Sequence, residues 1–186
     1  MTRFIGISGA LRQGSYNTAL LRAAIELAPP GCDLVAGSIR GIPLYDGDVE
    51  AAEGIPAAVT QLKELIAQAD GLILFTPEYN NGIPGVFKNA IDWLSRPSSD
   101  IARVFGGKPV ALCGASPGGF GTILSQHAWL GVLRSLELDI WSAGRLLVAR
   151  ANTVVDAQGR LTDEAMRQRL AQFLAGFQAY ALRERR

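Results

Sequence analysis

Apolar residues fall along this chain in two rhythms that alternate. One is a set of short unbroken runs: Phe4-Ile5-Gly6-Ile7, Asp33-Leu34-Val35-Ala36, Gly71-Leu72-Ile73-Leu74-Phe75, Pro109-Val110-Ala111-Leu112-Cys113 and Arg145-Leu146-Leu147-Val148-Ala149. Asp139-Ile140-Trp141 leads into the last. Runs without polar alternation suit strands covered on both faces. The other rhythm has the spacing of helices and predicts them over 17–27, 55–69, 84–94, about 121–136 and 162–182. In the second of these Pro56 sits near the first turn, and Val59, Leu62, Leu65 and Ile66 make the apolar stripe. The last opens with Thr162-Asp163-Glu164 and carries Leu170, Phe173, Leu174 and Phe177.

Strands alternating with helices predict an α/β fold with a parallel sheet. Five of each fit the flavodoxin-like, doubly wound order 2-1-3-4-5, with helices on both faces and one domain over residues 1–186. Such sheets bind ligands beyond the carboxyl ends of their strands, near the switch in strand order. The loops after strands one, three and four are therefore expected to meet in one crevice. They read GALRQGSYN (9–17), TPEYNNGIP (76–84) and GASPGGFGT (114–122), the segments richest in turn residues and small polar groups.

Composition narrows the partners. The 186 residues carry a net charge of +1, with 48% hydrophobic and 19% charged residues, a globular mix with no basic stripe for nucleic acid. No apolar run approaches the roughly 20 residues of a membrane span. The two cysteines, Cys32 and Cys113, form no CxxC pair, and the single His127 makes no zinc site with them. Reduced thiols and a chain that enters a strand at once lead us to expect a cytoplasmic protein without a signal peptide. The closing Arg183-Glu184-Arg185-Arg186 reads as a solvated helix end.

The first loop has the setting of a phosphate site, between a strand and a helix. It lacks the Lys-Ser/Thr of a triphosphate loop, because Gly14 is followed by Ser15-Tyr16. Gly6, Gly9 and Gly14 also miss the G-x-G-x-x-G spacing of a dinucleotide fold. What remains is Arg12 as a charged fork, the polar groups of Ser15, Asn17 and Thr18, and a helix N-terminus. That set suits one terminal phosphate held without metal, although Ser15 or Asn17 also reads as a plain helix cap. In the second loop Pro77, Gly82 and Pro84 stiffen the chain, and Tyr79 offers an aromatic body with a polar tip. Glu78 raises general acid/base catalysis. With no carboxylate or histidine beside it in sequence, a turn or interface role is favoured. In the third loop the glycines let backbone approach a flat ligand. Gly114-Ala115-Ser116-Pro117-Gly118 has the letters of G-x-S-x-G, but His127 is the only histidine that could serve as its base, so a serine nucleophile is not expected.

Together, Gly9-Ala10-Leu11-Arg12-Gln13-Gly14-Ser15-Tyr16-Asn17, Thr76-Pro77-Glu78-Tyr79-Asn80 and Lys88-Asn89-Ala90-Ile91-Asp92-Trp93-Leu94-Ser95 resemble the NADPH-dependent FMN reductase family. That family includes soluble quinone, chromate and azo-dye reductases. The chain departs from it at Ala10, where many relatives have serine. The resemblance implies non-covalent FMN, with Arg12, Ser15 and Asn17 at its phosphate and Pro77, Glu78, Tyr79, Asn80 and Ser116 at its ribityl chain and ring. Ala10, Leu11, Tyr16, Gly118 and Gly119 complete the cofactor-binding set it implies, with no catalytic side chain. It further implies NAD(P)H as co-substrate, a ping-pong two-electron reduction of quinones, flavin, chromate, azo or nitro compounds, and a homodimer or homotetramer with the flavin near an interface. The 84–94 helix and the Trp129 helix are the expected packing surfaces, with Trp93 itself in the core. A one-electron flavodoxin-type carrier and a non-flavin regulator on the same fold are the alternatives.

Overall fold

A computed structural model of the chain describes residues 1–183. Its sheet is built on β1 (Thr2–Ser8), β2 (Cys32–Gly37), β3 (Gly71–Phe75) and β4 (Pro109–Ala115). The pairing is parallel throughout and, with β5 (Asp139–Ile140) at the edge, the order is β2-β1-β3-β4-β5, as the alternation predicts. β3 and β4 are buried along their whole length, which is why their sequences carry no polar alternation.

The fifth position differs from expectation. It is shared by β5 (Asp139–Ile140), paired with Pro109 and Val110, and β6 (Leu146–Val148), paired with Cys113 to Ala115. Between them the chain leaves the sheet so that Trp141 can pack on Phe173, Phe177 and Tyr180. The indole lies directly against Gly144, where an added Cβ would stand 2.0 Å from a ring carbon. A Trp and a Gly three residues apart thus break the strand that the apolar run suggests.

Helices α1 (Tyr16–Glu26) and α7 (Glu164–Ala181) cover one face. Helices α3 (Ala57–Ala67), α4 (Gly85–Leu94) and α6 (Ile123–Ser135) cover the other. Successive sheet residues serve the two cores in turn: Leu72 and Leu74 face α3, α4 and α6, whereas Ile73 and Phe75 face α1 and α7. Trp93 is fully buried, as expected.

Patterning is blind to α2 (Gly47–Glu53), which buries no residue and rests on its Asp46 cap. It also misses the single turn Ser98–Asp100 and α5 (Ile101–Val104). These short pieces hold a polar clamp. Lys63 of α3, with only 3% of its surface exposed, donates to Asp100 and to the carbonyl of Arg96, both at 2.5 Å. Of the charged tail, Glu184-Arg185-Arg186 lies outside the described residues. Arg183 does more than face solvent: it pairs with Asp139 at 2.7 Å and lies 3.4 Å over the Tyr180 ring.

Candidate active site

The three loops emerge at the carboxyl edge of β1, β3 and β4 and are stitched to one another. The Gly9 N–H donates to the carbonyl of Phe75, and the Thr76 N–H to that of Cys113. At Gly114 an added Cβ would meet the Thr76 carbonyl and the Thr122 hydroxyl at 2.2 Å, so only glycine lets the second and third loops approach this closely.

In the first loop Leu11 to Gly14 are exposed and Ala10 is buried. Arg12 bends across its own loop, donating to the Gly14 carbonyl with its guanidinium 5.3 Å from the Tyr16 ring centroid. The Ser15 hydroxyl caps α1 by accepting from the Thr18 N–H at 3.3 Å, which leaves its own proton free to donate. Ser8 and Thr18 join their hydroxyls at 2.9 Å. The first turn of α1 holds no acidic side chain, so its dipole, and the N–H groups ahead of the capped Thr18, face an anion without a competing carboxylate.

Asn17 departs from expectation. Its side chain is 2% exposed. Nδ2 donates to the Ala115 carbonyl and Oδ1 accepts from the Ala115 N–H, both at 2.9 Å. The amide therefore acts as one more rung on the end of β4, tying the first loop to the third instead of facing a phosphate.

In the second loop Tyr79 and Gly82 exchange backbone bonds around Asn80 and Asn81, which sit at φ 49° and 61°. Two positive φ values make this a type I′ turn, and asparagine tolerates that backbone better than most residues do. Pro77 is buried and Tyr79 is exposed. Glu78 turns away to α6, where its Oε2 accepts from the N–H groups of Leu124 and Ser125 at 2.9 and 3.0 Å. That oxygen caps a helix, a role distinct from the turn or interface role favoured from sequence. Thr76 anchors the same corner, its hydroxyl 2.9 Å from Ser125 Oγ and from the donating indole of Trp129.

The Lys88–Ser95 motif serves the loop after β2. Asn89 accepts from the Tyr45 N–H and donates to the Pro43 carbonyl, and the Trp93 indole donates to that same carbonyl. The Tyr45 hydroxyl donates to Glu50, which pairs with Arg96 at 2.8 Å. In the third loop Ser116 donates to the Gly121 carbonyl at 2.6 Å. Gly118 and Gly119 are exposed, and no atom lies within 4 Å of a Cβ built on Gly119. A flat ligand can approach that backbone.

A cavity of about 960 Å³ lies on the β2 side of the first loop. Its lining includes Ala10–Tyr16, Arg22 of α1, residues 36–40 at and beyond the end of β2, and 152 and 155–159. Asn17 does not line it, and neither do the residues expected from the second and third loops. The sequence reading missed Arg22, Ser38 and Arg40; a polar Ser-Ile-Arg closing an apolar strand is the signal that was there to use. Arg40 donates to the Leu11 carbonyl across the mouth. No cluster of metal-ligating side chains exists among the described residues. Burial pushes the Cys113 thiol well above its ordinary value, so it supplies no thiolate.

A single phosphate on the first loop and a flat ring over open glycines fit the donor groups present. Residues 2–153 match the model of the NADPH-dependent FMN reductase family. The chain belongs to that family. It is 44% identical to an NAD(P)H-dependent FMN reductase of Pseudomonas aeruginosa, covering 98% of this chain and 97% of that one. A 2-hydroxy-1,4-benzoquinone reductase from a Burkholderia species is 37% identical, covering 97% and 96%. Among solved structures, the NAD(P)H:(acceptor) oxidoreductase FerB of Paracoccus denitrificans superposes with a TM-score of 0.85 at 30% identity, over 97% of both chains. Membership decides for an NAD(P)H-dependent flavin oxidoreductase over an electron carrier or a regulator, and confirms the flavodoxin-like fold. No helix among the described residues is long and apolar enough to cross a membrane.

Proposed function

We propose that the chain works as one FMN-binding unit that reduces quinones and similar acceptors by two electrons in a ping-pong cycle. The stitched edge formed by the three loops carries this reading. Arg12, the Ser15 hydroxyl and the open N-terminus of α1 would hold the phosphate, with Ala10, Leu11 and Tyr16 shaping its loop. The type I′ turn at Asn80 and Asn81 would hold Pro77 and Tyr79 toward the flavin ring, and the backbone of Ser116, Gly118 and Gly119 would meet the ring from the third loop. When bound, FMN supplies hydride acceptance from NAD(P)H and electron delivery to the acceptor. The protein positions the cofactor, and the exposed backbone of its third loop would leave the ring open to a planar reactant. No acid/base dyad is required of it.

Quinones are favoured as acceptors by the quinone reductases among its relatives. Cys32 and Cys113 are free thiols, consistent with a cytoplasmic home. Phe120, 81% exposed, with Leu124 and Leu130 of α6 and Val86 of α4, leaves apolar surface near the ring site that a second copy would cover in a homodimer or homotetramer. Purified protein should turn yellow with FMN and oxidise NAD(P)H in the presence of a benzoquinone, with initial-rate lines parallel as each substrate is varied. Intersecting lines would overturn the ping-pong order, and absence of both colour and turnover would overturn the whole reading.

A further inference from the structure

FMN brings one phosphate, yet the cavity at the first loop is lined by three arginines, Arg12, Arg22 and Arg40. Among the described residues none of the three has a carboxylate partner. Arg12 and Arg40 each donate to a backbone carbonyl, whereas Arg22, exposed on the second turn of α1, makes no bond given by the structure. Its guanidinium lies by Gly159, 3.7 Å from where a Cβ there would stand. That turn is closed by Asp156, which accepts from Gln158 and Arg160 N–H groups and pairs with the Arg160 side chain at 2.8 Å. The one acid lining the cavity is thereby spent, and a cationic surplus faces open volume. The remaining wall mixes apolar Ile39 and Val155 with the amides of Asn152 and Gln158, a surface for a flat heterocycle with polar edges.

We propose that the part of the cavity between Arg22, Arg40 and the 156–159 turn is a second anion subsite, for a phosphate that carries an adenosine. This rests on the reading that the first loop holds the FMN phosphate. Two molecules present that chemistry: the adenylate half of FAD, continuous with the flavin phosphate, and the 2′-phosphoadenosine end of NADPH.

The test compares wild type with Arg22→Ala, a change that removes no hydrogen bond or ion pair described above and whose fold is checked by thermal melting. Apoprotein is titrated with FMN and with FAD. FMN-loaded protein and apoprotein are titrated with 2′,5′-ADP, with adenosine as control. We expect Arg22→Ala to weaken FAD or 2′,5′-ADP about tenfold, the scale of one charge-assisted phosphate contact, with FMN affinity unchanged. An effect on FAD alone assigns the subsite to a flavin dinucleotide, and an effect on 2′,5′-ADP with FMN in place assigns it to the nicotinamide nucleotide. Equal affinities in wild type and variant for both ligands, or no saturable binding of either, overturns the subsite. Failure of FMN itself to bind wild type overturns the FMN reading instead, and 2′,5′-ADP on apoprotein then still reports on the subsite.

Discussion

Arg12 and Asn17 stand five residues apart and do opposite work. Arg12 is exposed and held only by its own loop, so its loss costs the fold little. Arg12→Ala is expected to weaken FMN binding roughly tenfold or more, while unfolding free energy stays within about 0.5 kcal/mol of wild type. Flavin fluorescence quenching and urea denaturation measure the two separately. If the variant retains FMN as tightly as wild type, the phosphate assignment for this loop fails. Asn17 has the reverse profile. Removing its amide leaves the Ala115 N–H and carbonyl unpaired in a buried place, so Asn17→Ala should destabilise by about 2–3 kcal/mol. Asn17→Asp, which keeps an acceptor but loses the donor, should recover none of it in the same denaturation assay. From sequence the two residues looked alike, because polarity and spacing reveal which groups can bond but not which way they point.

Helices α3 and α6 are each fastened by one charged side chain. Glu78 caps α6 from another loop, so Glu78→Ala should cost about 1 kcal/mol and Glu78→Gln, which keeps an acceptor, much less. Equal losses in both variants by chemical denaturation would argue against the cap. The Lys63–Asp100 pair carries a pH signature. Bonding to Lys63 first, and then to Arg103, holds the Asp100 carboxyl below its ordinary 3.8 in the folded chain. Its contribution is therefore present above that value and lost as pH falls through the folded pKa. Asp100→Asn strands a buried ammonium and should cost about 3 kcal/mol at neutral pH. The gap to wild type should narrow below pH 3.8 in denaturation curves taken across the acid range. Neither fastening was legible in the sequence, since Glu78 and Leu124 are 46 residues apart and Lys63 and Asp100 are 37 apart.

For the molecule as a whole, the apolar residues left at the surface bear on assembly. Trp129 is sealed in the core, edge-on to Phe87 at 5.0 Å, so the outward contribution of α6 comes from Leu124 and Leu130. Under the proposed homodimer or homotetramer, wild type should scatter light as a multiple of 19.8 kDa and Leu124→Asp with Leu130→Asp should bring it to 19.8 kDa with the circular dichroism spectrum kept; a wild type already at 19.8 kDa would overturn the assembly. An unchanged oligomer would locate the interface elsewhere on the surface.

The sequence by itself determined the strand order, the two-faced core and the three loops at the carboxyl edge of the sheet. These are matters of local pattern: apolar runs too continuous for a one-sided sheet, helical spacing between them, and turn residues where the chain must reverse. Tertiary structure alone decided what bonds to what. The apolar run at 145–149 became only β6, because Trp141 needed the room beside Gly144. Asn17 was spent on Ala115 and Glu78 on α6, since buried backbone groups must find partners before any ligand arrives. The arginines of α1 and of the β2 loop came to share one cavity because the parallel register of β1 and β2 brings their following loops side by side. No pattern along the chain encodes that proximity.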